Sequence, residues 1–346
     1  MQLIQIKPNA PATTKTTTGN GAFDAYGRQM TYLRISLTDR CNFRCIYCMP
    51  AAGMVFQPRE ELLTDDELLR LVALFAQSGF TKFRLTGGEP TIRPHVEDLI
   101  RQMKQFPGVE EISMTTNGLL LPRMAAELKD AGLDRINVSI DTLDPLRFKF
   151  MTRGGRLDLV MAGIEEAERV GIGPIKLNTV VVRGQNEQEV IDMAALSIDR
   201  PWEIRFLEIM PMEGVGMVYD EGLVTTEETK ARLEMHYGRL VPVDSNPSDP
   251  ARLWQLPGAR GTIGFISPVS EPFCQFCNRV RLTADGKLRL CLLRNDEIDF
   301  REEMRGGATD EDLLRRLRAG IWRKPWGHGL AEGDLNIGRG MSQIGG

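Results

Sequence analysis

An α/β protein built on a partial parallel barrel of six βα units, followed by a C-terminal extension, is the fold this sequence predicts. Three observations carry that expectation. Strand-like and helix-like segments alternate between about residues 30 and 210, all six strands share a polar face, and the character of the chain changes after about residue 215. Strands are expected at 31–38, 81–86, 111–116, 135–141, 175–182 and 203–208. Helix starts fall between them. Thr64-Asp65-Asp66-Glu67 is a capping box ahead of an apolar-periodic run, and Asp144-Pro145 places a cap before a proline at the first helical position. Six units stop short of the eight that close a full barrel. Beyond them, 223–236 reads as a helix, and 241–260, rich in Pro, Asp and Ser, reads as a linker or surface excursion. Segments 262–266 and 280–291 read as short strands, the second turning at Ala284-Asp285-Gly286-Lys287. A helix at 308–319 precedes a Gly-rich end. The expected organisation is a flexible leader (1–22), the barrel (23–215), a C-terminal region (216–337) and a short tail (338–346).

Side chains on a strand alternate between faces. Arg34, Ser36 and Thr38 alternate with Leu33, Ile35 and Leu37, and Lys82, Arg84 and Thr86 with Phe83 and Leu85. The same holds for Ser113, Thr115 and Asn117, for Asn137, Ser139 and Asp141, for Lys176 and Asn178, and for Glu203 and Arg205. In a parallel barrel the apolar set buries against helices, so the polar set points into a lumen that ordinarily holds branched apolar side chains. Arg34, Lys82, Arg84, Lys176 and Arg205 would repel one another there, at several kcal/mol per unpaired ion by order of magnitude. An anionic ligand would relieve that repulsion. An open antiparallel sheet with one wet face is the alternative, and the long helical crossovers count against it.

The chain has 346 residues, 42% hydrophobic and 26% charged, with a net charge of −4. An acidic balance without a polybasic block, and no apolar stretch of spanning length, argue against nucleic acid and membrane as partners. The opening segment is rich in Thr and Asn and lacks the apolar middle of a secretory signal, so a cytoplasmic protein is expected. The six cysteines lie in two trios, at 41, 45 and 48 and at 274, 277 and 291. Without an export signal, disulfides explain that clustering poorly, and two metal sites explain it well.

Cys41-Asn-Phe-Arg-Cys45-Ile-Tyr-Cys48 is a CxxxCxxC loop directly after the first strand. Three thiolates so spaced suit three irons of a [4Fe–4S] cluster and leave the fourth iron open. Zinc wants a fourth Cys or His, and none of the three histidines is local. Thr86-Gly87-Gly88-Glu89-Pro90 lets backbone approach a ligand closely, although alone it fits a tight turn equally well. The second trio alone also fits a zinc knuckle lacking one ligand. Together the motifs resemble the radical S-adenosylmethionine superfamily. Within it, the segments Phe23-Asp-Ala-Tyr-Gly-Arg28, Phe206-Leu-Glu-Ile-Met-Pro211, Phe273-Cys-Gln-Phe-Cys-Asn-Arg-Val-Arg281 and Met341-Ser-Gln-Ile-Gly-Gly346 resemble the GTP 3′,8-cyclase family of molybdenum cofactor biosynthesis.

That resemblance implies a radical-SAM-type partial barrel whose extension carries a second cluster. Cys41, Cys45 and Cys48 would hold a [4Fe–4S] cluster that cleaves S-adenosylmethionine, with Tyr47, Gly88, Ser139 and Met210 contacting that cofactor. Cys274, Cys277 and Cys291 would hold a second [4Fe–4S] cluster facing the guanine of GTP. Arg34, Arg84, Thr115, Lys176, Arg279, Val280 and Arg281 match GTP-binding positions. Arg34, Lys82, Arg84, Arg205, Gly345 and Gly346 are the expected catalytic residues. The implied reaction removes hydrogen from C3′ of the ribose, joins C3′ to C8 of guanine and yields 3′,8-cyclo-7,8-dihydro-GTP. An external electron donor, a downstream cyclic pyranopterin monophosphate synthase and a homodimer complete the implied partners. Two rivals fit less well. A peptide-modifying radical enzyme would carry more distal cysteines, and a zinc-ribbon nucleic-acid binder would carry a basic, aromatic-interleaved stripe.

Overall fold

The computed structural model describes residues 21–212, 216–332 and 338–345. Twelve strands lie in one sheet among the described residues. They are β1 (Tyr32–Ser36), β2 (Lys82–Thr86), β3 (Glu111–Thr116), β4 (Arg135–Ser139), β5 (Ile175–Val181), β6 (Glu203–Glu208), β7 (Val241–Val243), β8 (Arg252–Gln255), β9 (Thr262–Ile266), β10 (Arg279–Leu282), β11 (Lys287–Arg289) and β12 (Glu297–Asp299). Their order is β12-β11-β10-β1-β2-β3-β4-β5-β6-β9-β8-β7. From β1 to β6, neighbours in space are neighbours in sequence and all are parallel.

The helices between the strands start where their caps dictate. The helix Asp65–Gln77 has the capping box built from Thr64 and Glu67, and the helix Pro145–Thr152 is capped by Asp144 with Pro145 at its start. The helices cover the apolar side of the sheet. Leu33, Ile35, Phe83, Leu85, Ile112, Met114, Ile136, Val138, Leu177 and Ile204 are completely buried there. The polar set of each strand faces the other way, as the alternation predicts.

The C-terminal region differs from expectation in one way, and so does the leader. In the C-terminal region, β10 extends the parallel sheet beyond β1, and β9 extends it beyond β6. Eight adjacent parallel strands result, and antiparallel pairs at both outer edges leave the sheet open. The segment expected as a linker contains the β7–β8 hairpin. Pro242 is tolerated because β7 is an edge strand, where no neighbour needs its missing N–H. In the leader, Ala22 is buried rather than flexible. Its N–H donates to the Ser78 carbonyl (3.1 Å), and its carbonyl accepts from Met30 N–H (2.8 Å). The rest of the leader, 1–20, lies outside the described residues. No helix among the described residues is long and apolar enough to cross a membrane.

Candidate active site

Because β1 and β10 run parallel, the loop after β1 and the loop before β10 fall at opposite ends of the sheet. The first holds Cys41, Cys45 and Cys48, and the second holds Cys274 and Cys277. Cys291 follows β11, which returns antiparallel to β10 toward that second end. The two trios therefore face one lumen from its two ends.

At the first end, the cysteine loop is fixed by its neighbours. Arg44 N–H and Ile46 N–H donate to the carbonyls of Thr152 (3.0 Å) and Met151 (2.9 Å). Phe43 N–H donates to the Cys41 sulfur (3.4 Å). Gly88 N–H donates to the Thr38 carbonyl (2.7 Å) and Glu89 N–H to the Arg40 carbonyl (2.8 Å). This gives the paired glycines a reason that the local sequence does not supply. A Cβ on Gly88 would sit 1.9 Å from the Arg40 carbonyl oxygen, and one on Gly87, at φ +151°, 2.5 Å from that of Thr38. The close approach is to the cysteine loop itself. Gly88→Ala is therefore expected to cost about 1–3 kcal/mol, because backbone must shift. Urea melts and iron content after reconstitution measure it, and both should fall together.

Tyr47 donates to Asp141 Oδ2 (2.7 Å), and Asp141 Oδ1 accepts from Val180 N–H (2.9 Å), so β4, β5 and the loop share one polar joint. Burial pushes the Cys41 thiol up to about 11 and the Cys48 thiol up to about 12, and Cys45 lies well above the usual thiol range for the same reason. Mutual repulsion among the three adds to the rise at Cys45 and Cys48. Three such thiols ionise together only with a metal centre to neutralise them.

At the other end, the Cys274 carbonyl accepts from Arg28 Nη1 (2.6 Å). Arg28 is itself paired with Asp24 (2.6 Å) and also donates to the carbonyls of Pro325 (2.6 Å) and Trp326 (2.8 Å). Lys324 Nζ donates to the carbonyls of Arg279 (2.8 Å) and Leu290. Burial opposes ionisation of Cys277, but Lys324, Arg279 and Arg28 outweigh it and bring the thiol down to about 7. Neither trio suits a single zinc ion. Thiolates on one zinc stand roughly 3.8 Å apart, given Zn–S bonds of about 2.3 Å. Among the described residues only His95, Glu97 and Asp98, on the exposed start of a helix, bring three ligand atoms within 4.8 Å of one another. The wider sulfur spacing and the all-cysteine donor sets fit polynuclear iron–sulfur centres.

Between the trios, the lumen separates into two electrostatic halves. On β5 and β6, Glu203 takes Lys176 Nζ at 2.8 Å and also accepts from Arg205 Nε. These two cations are thus already paired, which corrects the expectation of five mutually repelling charges. The other half holds Arg34, Arg84 and Arg279 around Tyr32, with Arg281 beside Arg34. Arg84 Nε donates to the Tyr32 hydroxyl and Arg84 Nη1 to Thr115 Oγ1 (3.2 Å). The Arg84 and Arg279 guanidinium carbons each lie 5.8 Å from the centroid of the Tyr32 ring. Although burial opposes it, Arg84 and Arg34 bring the Tyr32 hydroxyl down to about 8. Burial, followed by repulsion from Arg281, pulls Arg34 well below its ordinary range, and burial brings Arg281 down to about 10. Guanidinium groups stay charged at neutral pH in proteins, so this half is suited to an anion. Asn137 Oδ1, Asn178 Oδ1 and Arg279 Nε are buried without protein partners, offering acceptors and a donor to a polar ligand.

Val280 is the exception among the expected contacts. Its side chain is buried in the apolar core opposite Leu33, so only its backbone faces the lumen between Arg279 and Arg281. Lys82 lies at the start of β2, level with Tyr32 and Glu111, and Ser139 at the end of β4, beside Asn178.

The C-terminal tail enters this lumen. Arg339 forms a two-pronged pair with Asp285 (3.1 and 2.9 Å) and also pairs with Glu297 (2.8 Å). Ile344 is fully buried with Met212, Val269, Leu293 and Leu330, and Met210 and Met341 pack against that group. The backbone of Ser342 donates toward the Cys48 sulfur. The Gly345 carbonyl accepts from Arg281 Nη1 (2.6 Å) and Arg34 Nη2 (3.4 Å). Gly345 has φ +77°, and a Cβ there would lie 2.5 Å from Thr86 Oγ1. Gly346 lies outside the described residues.

Three residues join the site beyond those expected: Tyr32, Glu203 as a partner of two cations, and Asp141 behind Tyr47. Tyr32 is detectable by parity, since it stands two residues before Arg34 on the same face.

Comparison with known proteins follows the same layout. Residues 35–197 match the family model described as Radical SAM superfamily, and residues 202–330 match Molybdenum Cofactor Synthesis C. The chain is 46% identical over 325 residues to the GTP 3′,8-cyclase of Alkaliphilus metalliredigens, covering 93% of this chain and 99% of that protein. It is 47% identical over 328 residues to the GTP 3′,8-cyclase of Heliobacterium modesticaldum, with the same coverage. It is also 44% identical over 305 residues to Molybdenum cofactor biosynthesis protein 1 of Homo sapiens, spanning 88% of this chain and 48% of that longer protein. The fold resembles the crystal structure of Streptococcus suis SuiB bound to S-adenosylmethionine, with a TM-score of 0.60 at 14% identity over 87% of this chain and 68% of that one.

Proposed function

The chain belongs to the GTP 3′,8-cyclase family of the radical SAM superfamily, and on that premise we propose how its own residues divide the work of the reaction. It is a lyase that cyclises GTP in molybdenum cofactor biosynthesis, using S-adenosylmethionine and iron–sulfur clusters. When bound at Cys41, Cys45 and Cys48, a cluster with S-adenosylmethionine supplies the radical that removes hydrogen from the ribose. Tyr47, Gly88, Ser139 and Met210 line the approach to that cofactor. Cys274, Cys277 and Cys291 would hold the second cluster, which would offer an open iron to the guanine.

The clustering of Arg34, Arg84, Arg279 and Arg281 in one half of the lumen is the observation that carries the substrate assignment. A triphosphate brings about four negative charges, and the planar forks of Arg34, Arg84, Arg279 and Arg281 pair with phosphate oxygens in two-pronged fashion. Thr115, held by Arg84 Nη1, adds a hydroxyl. Lys176 and Arg205 share Glu203, which leaves this half of the lumen one net positive charge rather than two before substrate arrives. Lys82 adds a cation at the level of Tyr32. Holding base and ribose in one geometry keeps the substrate radical within reach of C8 before it is quenched.

Arg84→Ala is expected to weaken GTP binding by about 1–3 kcal/mol, the scale of a charge-assisted hydrogen bond. The loss for guanosine should be smaller, since guanosine lacks the phosphates. Calorimetric titration of reconstituted enzyme with both ligands decides the point. Equal losses would remove Arg84 from the triphosphate. The remaining parts of the reading rest on the family alone: a cytoplasmic homodimer, an external electron donor, and a cyclic pyranopterin monophosphate synthase that takes the product.

A further inference from the structure

Tyr32, at the start of β1, is an aromatic side chain in the arginine half of the lumen. β1 lies between β10 and β2, so Tyr32 is level with Arg279 on one side and with Lys82 on the other. Arg34 and Arg84, level with each other, follow two residues further along their strands. The Tyr32 hydroxyl accepts from Arg84 Nε, and the ring centroid lies 5.8 Å from the guanidinium carbons of both Arg84 and Arg279. Arg279 also lies 4.9 Å from the centroid of the Phe273 ring. One tyrosine thus meets two arginines carried by different strands, β2 and β10.

A guanidinium is flat and rigid, so holding two of its nitrogens fixes where the third points. Arg84 is held at Nε by the Tyr32 hydroxyl and at Nη1 by Thr115 Oγ1 (3.2 Å), and Nη2 is the nitrogen that these two contacts aim. The ring does a different job. Its negative face attracts cations, so Arg84 and Arg279, which are close enough to repel each other, can both lie against it. Ordering two long side chains only when a ligand arrives weakens binding, and side chains held beforehand avoid that cost.

We propose that Tyr32 is a positioning residue for the phosphates of the nucleoside triphosphate: its hydroxyl aims the Arg84 fork, and its ring holds Arg84 and Arg279 side by side. The inference rests on the functional reading above, in which those arginines face phosphate. Tyr32 acts through the two arginines. Removing the hydroxyl therefore disturbs Arg84 alone, whereas removing the ring disturbs both.

The test is calorimetric titration of the anaerobically reconstituted full chain with GTP and with guanosine. Tyr32→Phe keeps the ring and loses the acceptor, and Tyr32→Leu loses both. Tyr32→Phe should weaken GTP binding roughly tenfold, the scale of one hydrogen bond to a charged group, and guanosine binding less. In an Arg84→Ala background the same change should add little, because the partner of the hydroxyl is already gone. Tyr32→Leu should weaken GTP binding further, and that extra loss should shrink in an Arg279→Ala background. In turnover, KM for GTP should rise by more than kcat falls in Tyr32→Phe. Full additivity of Tyr32→Phe with Arg84→Ala would overturn the proposal. So would a lower melting temperature with GTP affinity retained, which would make Tyr32 a packing residue. Equal affinities of Tyr32→Phe and Tyr32→Leu would overturn the part given to the ring. Equal losses of GTP and guanosine in Arg84→Ala would instead overturn the functional reading at these arginines, and the role of Tyr32 with it.

Discussion

Cys45→Ser is expected to abolish reductive cleavage of S-adenosylmethionine, while Cys277→Ser should lose GTP cyclisation and keep some uncoupled cleavage. The separation follows from where the two trios sit. Cys45 belongs to a loop anchored on Thr152 and Met151, at one end of β1, and Cys277 to a segment anchored by Arg28 and Lys324, at the other. These two sets of anchoring hydrogen bonds share no residue, so either trio can lose its metal without unmaking its counterpart. The cofactor side of the lumen therefore survives Cys277→Ser, and only the guanine side is disturbed. Methionine and 5′-deoxyadenosine are quantified alongside cyclised nucleotide in anaerobic single-turnover reactions. Cyclisation at the parental rate by Cys277→Ser would refute the assignment of a second substrate-facing cluster.

Removing Gly345 and Gly346 is the second change with a large expected effect. The tail is anchored upstream of these residues, by Arg339 on Asp285 and Glu297 and by burial of Ile344. Burying an isoleucine is worth about 1.5–3 kcal/mol, and that contribution stays in the truncated chain. The melting temperature and the iron content should therefore be unchanged. What is lost is the Gly345 carbonyl that holds the forks of Arg281 and Arg34. Misplacing groups by about 1 Å at a reacting centre costs roughly 100-fold, and cyclisation should fall on that scale. Gly345→Val should behave similarly, because its Cβ would overlap Thr86 Oγ1 in a backbone conformation that side chains resist. A truncated chain that cyclises GTP at the full rate would return the tail to a structural role.

Much of this site is legible in the sequence because charges at alternate positions of successive parallel strands must converge on one polar cavity. Arg34, Arg84, Lys176 and Arg205 do line one lumen, and the strands that carry them end within two residues of expectation. What the sequence hides depends on contacts between distant segments. Gly88 is required by the backbone of Arg40, nearly fifty residues earlier, so no local pattern separates that need from ligand binding. The Pro, Asp and Ser content of 241–260 masks β7 and β8, since edge strands need little of the apolar alternation that marks central ones. Val280 shares a motif with its arginine neighbours, whereas strand parity alone sends its side chain to the core. Glu203 is visible on the correct face, but its service to two cations emerges only with the register of β5 and β6.

The central claim is that both trios hold iron–sulfur clusters facing a single substrate lumen. Iron, sulfide and zinc analysis of anaerobically purified and reconstituted protein tests it most directly. The account predicts about eight irons with matching sulfide per chain, falling to about four in either Cys45→Ser or Cys277→Ser. About one zinc per chain, with no more than about four irons in the parent, would contradict it.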